Sequence, residues 1–212
     1  MKGGERGEVS TISIRIVGVG GQGIVLASNL LGEVALAAGL DVKKAEVHGM
    51  SQRGGSVTCD VRFGEKVFSP LAAPGDVDLI IAFERLEALR NLPALKPDGV
   101  IVVNRQSIAP STVIAGMAVY PPDVDERLRQ QAARLIFVDG PRIALDLGDP
   151  RVINSAVLGA ASPLLPFSLE QWEEAFQARL KNKGVEINLQ AFLRGRAEAE
   201  SVEAAASGLP TA

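Results

Sequence analysis

The sequence predicts a three-layer α/β domain on a mainly parallel, mixed sheet, with a Rossmann-like glycine loop after the first strand and helices at its C-terminal end. Three observations point there. Short apolar runs of strand length alternate with segments of helical periodicity. A glycine cluster stands where the first strand would pass into the first helix. One segment, Val57–Phe63, alternates strictly at a period of two, which argues for an antiparallel component in the sheet.

The elements follow in order. Residues 1–10 are Gly- and Glu-rich and are expected to be a flexible leader. Ile12, Ile14 and Ile16 alternate over Thr11–Val17, the first strand. Ile24, Ala27, Leu30, Leu31, Val34 and Ala38 then recur at steps of three and four, a helix stopped by Gly39. Asp41–Val47 is a short extended segment leading into the loop that ends at Gly55. Gly64-Glu65 offers a tight turn from Val57–Phe63 into Lys66–Phe68, predicting a hairpin there. Asp78–Phe83 is a compact apolar strand followed by the helical Glu84–Leu92, and Val100–Val103 is a further buried strand. Another strand is expected near Val113–Val119, then a short helix after Pro122 and the strand Arg134–Val138. Helices at Pro141–Leu147, Pro150–Ala161, Leu169–Leu180 and Val185–Arg196 complete the single domain, residues 11–196. Ser168 and Gln171 give the third of these a capping box. Residues 197–212 are rich in Ala, Ser and Gly and are expected to be a disordered tail.

Composition narrows the function. The 212 residues are 47% hydrophobic and 22% charged, an ordinary globular mix that excludes a mainly disordered chain. A net charge of −3 gives no case for nucleic acid. Cys59 is the single cysteine and His48 the single histidine, which leaves neither an internal disulfide nor the ligands of an iron–sulfur cluster or structural zinc. No apolar run reaches the roughly 18 residues of a membrane span, and the N-terminus has no apolar signal core, so a cytoplasmic location is expected.

Gly18-Val19-Gly20-Gly21-Gln22-Gly23 satisfies G-x-G-x-x-G between a strand and a helix. Glycines there let backbone amides approach an anion, and a helix N-terminus favours negative charge. A dinucleotide site also wants an acid about twenty residues on, at the end of the second strand; Glu46 is roughly placed and Asp41 is too early. The competing reading is a tight turn whose glycines serve packing alone. No Lys-Ser/Thr pair follows, so the loop is not a Walker-type phosphate loop.

Gly-Val-Gly-Gly-Gln-Gly, with His48-Gly49-Met50-Ser51-Gln52-Arg53-Gly54-Gly55-Ser56 after the second strand, resembles the gamma subunits and domains of the 2-oxoacid:ferredoxin oxidoreductases. The second motif is most similar to the beta subunits of the indolepyruvate branch of that family. The resemblance spans about Ile12 to Phe192 and includes Asn154-Ser155-Ala156-Val157-Leu158-Gly159. It implies a subunit of an enzyme that oxidatively decarboxylates a 2-oxoacid, indolepyruvate or another arylpyruvate, to its coenzyme A thioester and passes electrons to ferredoxin. Thiamine diphosphate and iron–sulfur clusters would lie on the partner subunit, leaving this chain inert alone; coenzyme A enters as co-substrate. The sequence holds no Gly-Asp-Gly segment and no C-x-x-C run of its own. The resemblance directs attention to Gly18, Gly20, Gly21, Gln22 and Gly23, and to Ser51, Gln52, Arg53, Gly54 and Gly55, as contacts to coenzyme A or to the partner's site. A free-standing Rossmann-type nucleotide-binding protein and a purely scaffolding subunit are the alternatives.

Other residues are read more plainly. Arg53, among glycines and polar residues, suits an anion because a guanidinium forks onto phosphate or carboxylate. His48 lacks a nearby nucleophile and is read as structural or interfacial. Cys59 falls on the apolar face of its strand, as inert core. Asn154 is expected to hydrogen-bond a neighbouring loop, Asp76 and Asp78 to serve turns rather than a metal, and Trp172 and Phe176 to pack in the core.

Overall fold

A computed structural model describes residues 11–49, 54–180 and 184–207. Its strands are β1 (Ile12–Val19), β2 (Asp41–His48), β3 (Ser56–Gly64), β4 (Val77–Ala82), β5 (Leu95–Asn104) and β6 (Arg134–Val138). They form one sheet in the order β2-β3-β1-β4-β5-β6. The pairs β1–β4, β4–β5 and β5–β6 are parallel, while β3 runs antiparallel to both β1 and β2. The helices are α1 (Ile24–Ala37), α2 (Arg85–Asn91), α3 (Ser111–Ile114), α4 (Val124–Gln131), α5 (Gly140–Leu147), α6 (Ile153–Ala161), α7 (Leu169–Leu180) and α8 (Val185–Ser207). The expected leader, residues 1–10, lies outside the described residues.

Two apolar cores explain the three layers. Ile14, Ile16, Cys59, Val61, Leu79, Ile81, Val100 and Val102 face α1 and α5–α8. Val17, Val77, Ile80, Ala82, Ile101 and Val103 face α2 and α4 on the other side. The central strands β4 and β5 are therefore apolar on both faces, which is why they read as continuous runs rather than alternating ones. Cys59 is fully buried, and burial pushes its thiol pKa up, as inert core requires.

Three expectations are corrected. The hairpin partner of β3 is β2, joined through the loop after His48, and not Lys66–Phe68. Both edges of β3 are occupied by β1 and β2, so no edge remains for a third strand. Val67 instead donates its amide to Asp41 Oδ2 at 2.9 Å, and Phe68 stands exposed. Val113–Val119 forms no strand. The two edges of β5 are likewise taken, Pro110 leads into the short α3, and Gly116 at φ +71° breaks any extended run. The segment assigned to the tail is helical as far as Ser207, because α8 continues through it. Its Ala- and Glu-rich sequence favours a helix, Ala199 is buried against the domain, and Glu203 pairs with Arg134. Residues 208–212 lie outside the described residues.

The C-terminal helices close over α1 through one tight crossing. A Cβ on Gly159 of α6 would overlap the carbonyl of Phe192, and one on Gly195 of α8 would overlap the carbonyl of Ala156. Backbones this close leave space for hydrogen alone. Around the crossing runs a chain of rings, Phe63–Phe167–Trp172–Phe192, with centroids 5.2, 6.2 and 5.2 Å apart, and Phe176 packs on Phe192 at 5.5 Å. Trp172 and Phe176 are thus core, as their spacing indicated. The capping box of α7 is formed: Ser168 N–H donates to Gln171 Oε1 (2.9 Å) and Gln171 N–H to Ser168 Oγ (3.4 Å). Gly159→Ala and Gly195→Ala should each destabilise the chain by about 2–3 kcal/mol, since a methyl forced between fixed backbones cannot relax through a rotamer. Urea unfolding of the purified variants checks this; a loss below about 0.5 kcal/mol, as at an ordinary surface site, would contradict the crossing.

Candidate functional site

Strands β1 and β4 are parallel neighbours whose chains leave in opposite directions: β1 feeds α1 on one face of the sheet and β4 feeds α2 on the other. A crevice must open between such strands at their carboxyl ends, the usual ligand position in open α/β sheets. A cleft of about 710 Å³ lies there, lined by Gly20–Gly23, Gly54, Phe83, Gln106, Ile108, Arg151 and Asn154 among others.

Gln22 fixes the floor of this cleft. Its Oε1 accepts from Val19 N–H (2.7 Å), and its Nε2 donates to Phe83 O (2.9 Å) and to Gln106 Oε1 (3.0 Å). The fully buried Asn104 at the end of β5 donates to the same Phe83 O and Gln106 Oε1, at 3.2 Å each, and accepts from Gly140 N–H at 3.1 Å. One side-chain network therefore joins the ends of all four parallel strands. Gly18 is a packing glycine, since a Cβ would meet Ile24 Cδ1 at 2.6 Å and Gln22 Oε1 at 2.7 Å. Gly23 caps α1 in the left-handed region (φ +78°), and Asn154 Nδ2 reaches its carbonyl at 3.5 Å, so Asn154 does bond the neighbouring loop. A Cβ on Gly23 would overlap that Asn154 amide. Gly21 differs: at φ +102° it has no atom within 4 Å of its Cβ position and borders open space.

The second motif meets the first. Gly20 N–H donates to Gly55 O at 2.8 Å, Gly49 N–H donates to Ser56 O at 2.8 Å, and Gly54 lines the cleft. The proposed contacts Ser51, Gln52 and Arg53 lie outside the described residues. His48 is 54% exposed, 4.0 Å from Glu46 Oε2, and is not part of the cleft wall.

Glu46 does not serve as a dinucleotide acid. Strand β3 stands between β1 and β2, so Glu46 lies two strand spacings, roughly 10 Å, from β1 instead of one, and its carboxylate pairs with Lys44 at 2.6 Å. Asp76 and Asp78 share Lys96, at 3.8 and 2.6 Å, and Asp78 also accepts from Ser13 N–H, so they anchor a strand start. Among the described residues no cluster of three His, Cys, Asp or Glu side chains could hold a metal.

Sequence reasoning missed Asn104, Gln106, Glu84 and Tyr120. Glu84 is buried; its Oε2 caps α2 through Glu87 N–H (2.9 Å), while its Oε1 accepts from Tyr120 O–H (2.6 Å) and Ile108 N–H (3.2 Å). The visible signal was a polar residue closing each apolar run: Glu84 after Asp78–Phe83 and Asn104 after Val100–Val103. On the cleft rim Arg151 grips Asp149 through Nε and Nη2 (2.9 and 2.7 Å), and this side-chain bond holds the Asp149 carboxyl down at about 2.

Two outcomes follow from this network. Gln22→Ala strands Val19 N–H and leaves Phe83 O to Asn104 alone, and should cost about 1–3 kcal/mol in urea unfolding. Gln22→Glu, which cannot donate to Phe83 O, should cost at least as much; wild-type stability in both would rule the clamp out. Tyr120 titrates near 12, pushed up first by burial and then by its bond to Glu84. The neutral phenol is thus favoured in the folded state, so its contribution is complete below the unfolded value of about 10 and is lost as pH rises towards 12. Stability measured at stepped pH above 9 should fall more steeply in wild type than in Tyr120→Phe, and parallel curves would contradict this.

Comparison with known proteins places the site in context. Residues 13–198 match the family described as "Pyruvate ferredoxin/flavodoxin oxidoreductase". The indolepyruvate oxidoreductase subunit IorB of Thermococcus kodakarensis is 40% identical over 188 residues, 86% of this chain and 93% of that one. The common gamma subunit of the pyruvate/ketoisovalerate oxidoreductases of Pyrococcus abyssi is 31% identical, over 85% of this chain and 95% of its own. The keto/oxoacid ferredoxin oxidoreductase gamma subunit of Geobacter sulfurreducens shares the fold with a TM-score of 0.67 at 24% identity, covering 90% of this chain and 99% of that one. A 2-oxoglutarate:ferredoxin oxidoreductase chain of Magnetococcus marinus gives a TM-score of 0.69 at 23% identity, over 92% of this chain and 32% of that longer one. With the match running through both glycine motifs and into α8, the chain belongs to the pyruvate ferredoxin/flavodoxin oxidoreductase family, as an oxidoreductase subunit.

Proposed function

We propose that this chain is the small subunit of an indolepyruvate-type 2-oxoacid:ferredoxin oxidoreductase, presenting its cleft to a partner subunit that carries thiamine diphosphate and the iron–sulfur clusters. The observation that carries the substrate class is 40% identity to IorB chains over most of both lengths, with both glycine motifs inside the matched span. In the assembled enzyme a 2-oxoacid loses carbon dioxide, its acyl group leaves as the coenzyme A thioester, and two electrons pass to ferredoxin. The partner's groups supply the carbanion and electron-transfer chemistry. This chain's own residues bind and orient.

The cleft suits an anion. Its described wall carries no carboxylate, Gly21 leaves its floor open, and α1 starts there without a side-chain cap on its amides. The Gln22 network holds that floor rigid, so an approaching phosphate or carboxylate meets preset donors rather than a loop that must be ordered on binding. Ser51, Gln52 and Arg53, which follow β2 in the motif joined to this loop at Gly55, are assigned as further donors to coenzyme A or the substrate carboxylate. No described helix is long and apolar enough to cross a membrane, and a cytoplasmic assembly fits this reading.

The purified chain should reduce no viologen with indolepyruvate and coenzyme A, and should do so once reconstituted with its large subunit. Turnover by the chain alone, or inactivity of the correctly assembled pair, would overturn the assignment. Within the reconstituted enzyme, Arg53→Ala should leave assembly intact and raise KM or lower kcat by an amount equivalent to roughly 1.5–3 kcal/mol. Arg53→Lys should recover only part, since an ammonium lacks the two-pronged geometry. Steady-state kinetics with coenzyme A and 2-oxoacid varied separately would show which of the two the residue serves.

A further inference from the structure

A second concave site lies away from the cleft, beside the edge strand β6. Arg105 follows β5, its amide fixed on Val138 O at 2.8 Å, and Arg129 stands in the last turn of α4. Their guanidinium carbons lie 4.8 and 5.2 Å from the centroid of the same ring, Phe137 of β6. Two like charges have been gathered onto one aromatic. Among the described residues neither forms an ion pair, whereas Arg85, Arg90 and Arg151 each hold a carboxylate. Between them opens a recess of about 420 Å³ whose other walls include Leu135, Ala132 and, from α8, Glu198 and Val202.

The acid on this wall is held by a backbone amide and, among the described residues, forms no ion pair with either arginine. Glu198 turns both carboxylate oxygens onto the Asp139 amide, at 3.2 and 3.3 Å, and burial pushes its pKa up despite the opposing pull of Arg105. Asp139 itself caps α5 by accepting from Arg142 N–H at 3.0 Å. The ring attracts the face of each guanidinium and leaves the N–H edges free. We propose that the Arg105–Arg129 recess is a binding site for a phosphoryl group, free or carried on a small molecule. A phosphoryl dianion offers three oxygens to two planar forks, a match that a single carboxylate meets less fully.

The site shares no lining residue with the cleft, so its test is independent of the enzyme assignment. Calorimetric titration of the full chain with inorganic phosphate at low ionic strength should give saturable one-to-one binding. Arg105→Gln and Arg129→Gln should each weaken it by about tenfold, the scale of one charged hydrogen bond. Arg127→Gln, an equal loss of charge elsewhere on α4, should leave it unchanged, and Phe137→Leu should weaken it with the charge intact. Titration with a phosphate monoester in place of inorganic phosphate distinguishes a carried group from the free ion. Absence of saturable binding, equal weakening in all three arginine variants, or acetate binding as tightly as phosphate would overturn the proposal.

Discussion

The architecture at the working end of this molecule depends on one carbonyl, Phe83 O, which receives both Gln22 Nε2 and Asn104 Nδ2. A parallel sheet leaves its strand ends splayed, because each strand departs into a separate loop. Here the departures from β1, β4, β5 and β6 are tied through Gln22, Phe83, Asn104, Gln106 and Gly140. At the fully buried Asn104 each bond is electrostatically stronger than in water, and each missing partner is correspondingly costly. The glycine loop can therefore be flexible in composition and fixed in position. Gly21 borders open space only because Gln22 beside it is held at three points.

The C-terminal helices act on that same end from the other side. Gly159 and Gly195 bring α6 and α8 into backbone contact, which places Asn154, at the start of α6, against Gly23. A bulkier crossing would lift α6 and withdraw Asn154 from the loop. The same crossing carries α8 onward beside β6, where Ala199 is buried and Glu198 meets the Asp139 amide. Packing far from the cleft thus sets its geometry through rigid helices.

Much of this was legible in the sequence, and the failures share a cause. Helix α7 and strand β6 have the bounds expected of them, because Leu169–Leu180 has a capping box and Arg134–Val138 is a bounded apolar run. Lys66–Phe68 and Val113–Val119 look extended locally, yet β3 and β5 already have both edges filled. Sheet vacancy is a global property that no local pattern carries. The end of α8 was misjudged for a related reason: its Ala-rich composition resembles a tail, and the docking of Ala199 and Glu198 adds the tertiary contacts that its helix propensity alone does not supply. In the site, the glycine positions could be read directly, while the joint role of Gln106 and Asn104 could not, beyond the polar residue that closes the run Val100–Val103. Their role arises from parallel strands lying side by side, with residues 84 positions apart in the chain brought to 3.0 Å.

The insertion of β3 between β1 and β2 turns a familiar glycine signature to a different use. In a dinucleotide fold the second strand would lie beside β1 and bring its terminal acid to the ribose. Here that place is taken by an antiparallel strand, and Glu46 is moved to the sheet edge beside Lys44. What β3 brings instead is its own beginning. The register sets Val19 opposite Ser56, so the segment preceding β3 arrives at the glycine loop, and Gly20 N–H closes on Gly55 O. A G-x-G-x-x-G loop whose Gly20 amide is taken by Gly55 O keeps one amide fewer for an anion and is tied to a second glycine motif instead. It is half of a rim whose other described half is Gly54 and Gly55 at the entry to β3, and the strand order holds the two together.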